Sequence, residues 1–419
     1  METLRIGLLG LGTVGQSVCE LIQAEGEAFE RKTGLRPVVT VACVRDASRE
    51  RRHAPDRITT DPMDVVAADD VDVVVEVMGG QEPAFELIQE AIRQGKQVVS
   101  ANKELLARRG RELEEDAAAK GVCLLFDAAV CGGIPVLNTL RHRFAADEVE
   151  RIIGIVNGTS NFVLTQMTEF GEPFAEALAV AQEEGYAEAD PTYDVEGFDA
   201  QSKLALLVAE AFGARIAVEE IHREGIEQVS PRDIEFADLL GYRIKPLAVA
   251  ARKEGGIEAR IHPALVPLTN PLSKVDGADN AVLIRSKYLG DLMLLGPGAG
   301  GHPTAAAILG DLEEIATGKS FRCNEKSQVA VQPIEETVAR FYVRMTSQDR
   351  PKALGQIASA FGDYEVSLSA LEMHELPENR SELVFLTHPA LERNLKKALA
   401  LIEHLPMIER IESWFRIES

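Results

Sequence analysis

The sequence predicts an α/β protein that opens with a Rossmann-type nucleotide-binding domain. Three observations carry this. Residues 4–9 form an apolar run that ends at Gly10-Leu11-Gly12-Thr13-Val14-Gly15. A helical stretch, 13–29, follows at once. Segments rich in Val, Ile and Leu at 38–44, 71–77, 97–100 and 122–126 then alternate with helical patterns such as 83–94 and 104–120. Strands that are apolar on both faces and separated by helices belong to a parallel sheet covered on both sides.

Past residue 135 the pattern changes. A strand at 151–156 stops at Asn157-Gly158, and helices are expected at 161–169, 174–184 and 199–212. Short strands at 245–251, 258–263, 281–286 and 292–295 describe an α+β region with an open mixed sheet. A second glycine-rich loop, Gly296-Pro297-Gly298-Ala299-Gly300-Gly301, leads into a helix at 304–316. The tail reads strand 339–346, helix 353–361, strands 366–374 and 381–387, helix 390–403 and strand 408–415, the βαββαβ order of a ferredoxin-like module. The expected domains are 1–135, with helix 304–316 packing back on it, 136–320, a linker at 321–337, and 338–419.

The bulk numbers narrow the classes. A chain of 419 residues exceeds one ordinary core. A net charge of −23 disfavours a nucleic-acid partner. No apolar segment is long enough to span a bilayer, and Met1-Glu2-Thr3 lacks the basic start of a signal peptide. The five cysteines, Cys19, Cys43, Cys123, Cys131 and Cys323, are odd in number and show no metal or disulfide spacing. A cytoplasmic enzyme with reduced thiols is expected, with neither nucleic acid nor membrane as partner.

The glycine turn supplies the first chemistry. Gly10 permits the tight turn, Gly12 lets the backbone reach a pyrophosphate, and Gly15 lets helix and strand pack closely. The helix start at Thr13 and Val14 offers free N–H groups to phosphate oxygens. At the end of the second strand stands Val44-Arg45-Asp46. Arg45 can pair with a 2′-phosphate, which points to NADP with NAD also usable.

Two further stretches carry charge. Ser100-Ala101-Asn102-Lys103 lies at the C-terminal end of a parallel strand, the edge where such sheets bind ligands. In the block 185–203, Asp199 and Lys203 share a helix face, and the apolar run from Leu204 implies a partly buried Lys203. Burial eases proton transfer from a lysine near neutral pH. Glu188, Asp190 and Asp194 can grip the ammonium group of an amino-acid substrate; a capping salt bridge at the surface is the other reading.

These motifs together resemble bacterial homoserine dehydrogenase of the form with a C-terminal ACT domain. The resemblance runs over essentially the full length. It rests on the glycine turn, Ala101-Asn102-Lys103, residues 127–135, Asn157-Gly158-Thr159-Ser160-Asn161-Phe162, residues 185–203 and the loop 296–301. It implies NAD(P)H-dependent interconversion of L-aspartate 4-semialdehyde and L-homoserine, on the route to threonine and methionine. It also implies Lys203 as acid/base, with Glu188, Asp199 and Lys103 binding substrate. Ser100, Lys103, Gly185, Gly298 and Gly300 would help form the cofactor site. A sodium-type monovalent cation is implied at Asp127, Val130, Gly132 and Ile134, although Asp127 replaces the family's Glu and Cys131 one of its Gly residues. The ACT tail implies threonine as effector and a homodimer or homotetramer, although Lys352 stands where the family usually has Gly. Two other readings stay open: a related oxidoreductase acting on another amino-acid aldehyde, and a non-catalytic dinucleotide sensor.

Overall fold

The computed structural model describes residues 2–318 and 326–418. Part of the expected linker, 321–325, and with it Cys323, lies outside the described residues. The chain divides into two compact units, each discontinuous in sequence.

The first unit comprises Met1–Arg151, Ser202–Val218 and Asn280–Val329. Its sheet is built from β1 (Glu2–Leu9), β2 (Leu35–Cys43), β3 (Ile58–Thr59), β4 (Val73–Glu76), β5 (Gln97–Ser100) and β6 (Leu124–Leu125). The order is β3-β2-β1-β4-β5-β6, with every pairing parallel. Strand order reverses between β1 and β4, so a crevice opens beyond their C-terminal ends. The helix Thr13–Thr33 buries Val18, Cys19 and Ile22 against the sheet and ends at Gly34 in the left-handed region. The helix Gly301–Ala316 adds Ala305, Ile308 and Leu312 to the same core as Leu4, Ile6, Leu8 and Val18. The strand expected at 122–126 shortens to two residues, because the chain turns into a 3-10 turn at Asp127–Ala129. The helix Val136–Arg143 follows, which the residue pattern did not announce.

The second unit comprises Ile152–Gln201, Glu219–Asp279 and Ala330–Ser419. A long antiparallel hairpin, Tyr242–Lys253 with Gly256–Pro267, extends both strands expected there. The helix Pro231–Leu239 was not expected, yet its start carries a capping box between Ser230 and Asp233, a signal present in the sequence. In the C-terminal part the strands lie in the order Ile408–Ile417, Val338–Gln348, Arg380–Thr387, Leu368–Leu376, all antiparallel. Phe341, Phe361, Phe385, Leu395 and Ile402 form its core, under the helices Ala353–Asp363 and Glu392–Glu403. The end of Ile408–Ile417 pairs in parallel with Gly256–Pro267, so this part shares a sheet with the hairpin. No helix among the described residues is long and apolar enough to cross a membrane.

Candidate active site

The glycine turn separates a structural demand from an opening. Gly10 has φ +106°, and a Cβ there would stand 2.9 Å from the Val77 carbonyl oxygen. A Cβ on Gly15 would strike the carbonyl of Gly10. A Cβ on Gly12 would meet nothing within 4 Å among the described residues. No side chain caps the helix that begins at Thr13. The turn therefore leaves free space over an uncapped helix start, which fits a dinucleotide pyrophosphate.

Just past β2, Arg45 is exposed. Asp46 is turned into its own loop, where its carboxylate accepts from the Ser48 N–H (2.9 Å) and hydroxyl (2.6 Å). These bonds hold its pKa below the usual carboxylate value. Arg51, which the sequence reading did not single out, donates to the carbonyls of Leu11, Arg49 and Asp46 and ties this loop to the glycine turn.

Within the first unit lies a cavity of about 290 Å³ whose walls include Val14, Met78, Gly79, Lys103, Cys131, Gly132, Lys203 and Gly298. It draws the glycine turn, the ends of β4 and β5, the loop after β6 and the second glycine loop to one place. Lys203 is 7% exposed, on the helix Phe198–Phe212, and the apolar Leu204, Leu206, Leu207 and Val208 behind it are buried. Lys103 opens the helix Lys103–Lys120, whose N-terminus is capped by Asn102 accepting from Leu105 N–H (3.2 Å).

A buried carboxylate organises this wall. Glu76 accepts from the Ser100 hydroxyl (2.7 Å) and from the N–H groups of Met78 (2.8 Å) and Gly79 (3.2 Å). Burial pushes its carboxyl pKa up, against those hydrogen bonds. Ser100 is fully buried, so its side chain supports the wall from behind. Asn102 donates to the Gly80 carbonyl (2.6 Å) and ties the two strand ends together. Glu76 was legible only as an acid closing an all-valine strand.

The second glycine loop packs backbone to backbone. A Cβ on Gly132 would sit 2.7 Å from the Gly298 carbonyl oxygen, and one on Gly298 would strike the Asn280 side chain. Cys131 holds φ +56°, a left-handed conformation that explains why glycine suits the position. Gly300 precedes the helix Gly301–Ala316 with φ +117°.

The loop expected to hold a cation is buried. Asp127 is 4% exposed; it accepts from Asn138 N–H (2.9 Å), and its own N–H donates to Asp311 (3.0 Å). Burial pushes the Asp127 carboxyl up to about 6. The Ile134 carbonyl accepts from Val136 N–H (2.7 Å) and retains one lone pair. No group of three or more His, Cys, Asp or Glu among the described residues is placed to hold a metal ion. Asp127 and the Ile134 carbonyl are oxygen donors of the type a hard cation takes.

The acids of block 185–203 lie in the second unit. Asn157 Nδ2 donates to Asp194 (2.7 Å) and Asp199 (2.8 Å), while its Oδ1 accepts from Ser160 N–H (2.8 Å). Asn157 thus joins two of the expected acids; its place before Gly158 at a strand end was the available signal. Glu188 and Asp190 are exposed. Gly185, at φ +80°, follows the helix Phe174–Glu183.

A parallel sheet in this order, an open glycine turn and a two-lysine cavity at the sheet's switch point define a nicotinamide-dinucleotide-dependent dehydrogenase. Known proteins sharpen the class. Residues 10–127 match the family model "Homoserine dehydrogenase, NAD binding domain", and residues 135–312 match "Homoserine dehydrogenase". The chain is 39% identical to a homoserine dehydrogenase of Neisseria gonorrhoeae, covering 100% of this chain and 99% of that one. It is 41% identical to that of Corynebacterium glutamicum, covering 99% and 95%. The solved homoserine dehydrogenase of Thiobacillus denitrificans superposes with a TM-score of 0.94 at 38% identity, covering 100% of this chain and 99% of that one. A hyperthermophilic archaeal homoserine dehydrogenase in complex with NADPH superposes with a TM-score of 0.65 at 26% identity, covering 77% of this chain and 100% of that one. The chain belongs to the homoserine dehydrogenase family, oxidoreductases of amino-acid biosynthesis.

Proposed function

We propose that the chain interconverts L-homoserine and L-aspartate 4-semialdehyde with Lys203 as acid/base. The observation that carries this is the burial of Lys203 in one cavity with Lys103 and both glycine loops. The bound nicotinamide supplies or accepts the hydride. In the reducing direction the Lys203 ammonium gives its proton to the developing alkoxide and places positive charge where negative charge grows. In the oxidising direction the neutral amine takes the hydroxyl proton. Lys103 orients the polar end of the substrate, and Glu188 and Asp199 are proposed as substrate-binding residues on the family resemblance alone. Thr13 and Val14 N–H groups, beside Gly10, Gly12 and Gly15, hold the pyrophosphate. Ser100, Gly185, Gly298 and Gly300 shape the rest of the cofactor site.

NADP is the preferred cofactor in this reading, with NAD usable. Support comes from exposed Arg45 beside an Asp46 already engaged by Ser48. A sodium-type ion would rest on the carbonyls of Val130, Gly132 and Ile134, with Asp127 as its weakest ligand. Residues 338–419 form an ACT-type module that takes threonine, the enzyme is a homodimer or homotetramer, and it works in the cytoplasm.

A steady-state assay with aspartate semialdehyde tests the reading. We expect faster turnover with NADPH than with NADH, and inhibition by threonine. Preference for a different aldehyde would overturn the substrate assignment. NADH preference would overturn the role of Arg45, and indifference to threonine the effector.

A further inference from the structure

The two cavity lysines sit on helices whose far ends meet in a buried ionic cluster. Glu114 stands eleven residues after Lys103 on the helix Lys103–Lys120, and Glu210 seven residues after Lys203 on the helix Phe198–Phe212. At about 3.6 residues per turn these are three and two turns, so each glutamate lies on the same face as its lysine. Lys326 Nζ reaches both carboxylates, Glu210 at 2.7 Å and Glu114 at 3.0 Å. The three side chains are only 8%, 5% and 10% exposed.

Two arginines complete the cluster. Arg141 binds Glu210 through Nε at 3.0 Å, from the helix that follows the cavity loop at Cys131 and Gly132. Arg215 binds Glu114. Burial alone would raise the Glu210 carboxyl, but Arg141 and Lys326 outweigh it and hold the pKa down to about 2. Just after Lys326 the strand Ser327–Gln328 pairs with Ala214–Arg215, which fixes where the lysine is presented.

A buried ion network is a poor source of net stability, since desolvation offsets most of the attraction. What it fixes well is distance. We propose that Lys326 is a positioning residue for the reaction: by joining Glu114 to Glu210 it sets the spacing of the two helices that present Lys103 and Lys203 to the cavity. The inference rests on the proposed roles of those lysines. A shift of the order of 1 Å between groups that must act together costs up to about a hundredfold in rate.

The test uses the full-length enzyme and Lys326→Met, which keeps the stem and leaves Glu210 paired with Arg141. We expect kcat for homoserine oxidation to fall about tenfold or more. The dissociation constant for NADPH, read by fluorescence, should stay within about twofold. The primary deuterium isotope effect should rise as hydride transfer becomes slower, and Lys326→Arg should recover most of kcat. A residue that only holds the fold would lower the melting temperature and leave kcat and the isotope effect unchanged; that result overturns the proposal. Should Lys326→Met not fold, Glu114→Gln weakens the same joint under the same criteria. Lys203→Ala in the same assay keeps the two ideas apart. An active Lys203→Ala removes the premise. An inactive Lys203→Ala beside a fully active Lys326→Met removes the positioning role alone.

Discussion

Two strand-to-helix turns, one at each end of the chain, solve the same backbone problem with different residues. At Gly10–Gly15 the left-handed position is a glycine and the helix begins uncapped beneath open space at Gly12. At the start of the helix Ala353–Asp363 the left-handed position is Lys352, φ +74°, and that helix is also uncapped by any side chain. A cavity of about 570 Å³ lies beside this second turn, walled by Arg350, Lys352, Gln356, Asp363 and Met407 among others. A lysine holds here the left-handed conformation that a glycine holds in the first turn, and its side chain lines the cavity. A non-glycine residue in this region carries about 1–2 kcal/mol of strain. The contrast teaches that a left-handed turn does not require glycine, whereas the open space over the helix start at Gly12 does depend on the missing side chain.

The largest expected effect lies in the first turn. Gly12→Val should leave the melting temperature nearly unchanged, because its side chain enters empty space, yet weaken NADPH binding by about a hundredfold or more through the lost approach to phosphate. Unchanged binding would break the assignment of that space to the cofactor. Gly15→Ala should do the opposite. Its Cβ meets the Gly10 carbonyl, so denaturant titration should show a loss of about 1–3 kcal/mol before any effect on binding is considered.

The unit that contains Lys352 also holds a buried histidine that makes it sensitive to acid. His262 is fully buried, and its Nε2 accepts from Arg260 Nε at 3.0 Å. Burial first, then the charges of Arg416 and Arg260, depress its pKa to about 3, against the pull of Glu418 and Glu224. The unfolded chain therefore binds this proton more readily than the folded one. Stability is full above about pH 6.5 and falls as pH drops toward 3, at up to about 1.4 kcal/mol per pH unit for this one group. The Glu224 carboxylate, held low by His222 and Arg416 against its burial, adds a loss of the same sign at lower pH. Buried Asp127 and Glu76 titrate with the opposite sign in this window, so urea titrations at pH 7, 6 and 5 compare the protein with His262→Asn; an unchanged pH dependence in the variant contradicts the role of His262. The smallest effect is at Lys352 itself. Lys352→Gly should gain about 1 kcal/mol by relieving the left-handed strain, whereas Lys352→Ala should gain nothing. Stronger threonine inhibition in Lys352→Gly would restore the likeness between the two turns.

The first turn was legible because every contributor is local: an apolar strand, three glycines at fixed spacing, a helix. β5 was legible for the same reason, and its bounds fall at Gln97–Ser100 as the residues implied. The Glu210–Lys326 pair was not, because its partners lie 116 residues apart and no local pattern links them. Glu76 was hidden differently. Its strand reads as plain core, and only the fold reveals that its last residue turns to bind the N–H groups of the next loop. Lys103 and Lys203 were each visible as charged residues near apolar runs. Their sharing of one cavity depends on the chain leaving the first unit at Arg151 and returning at Ser202, which no local signal announces.

The central claim is that Lys203 moves the proton in this reaction. The most direct measurement is single-turnover reduction of aspartate semialdehyde by NADPH in Lys203→Ala, with cofactor binding measured on the same preparation. The account predicts about native cofactor affinity and a hydride-transfer rate lowered by about 10²–10⁴. A rate within a few-fold of the unsubstituted enzyme would contradict it.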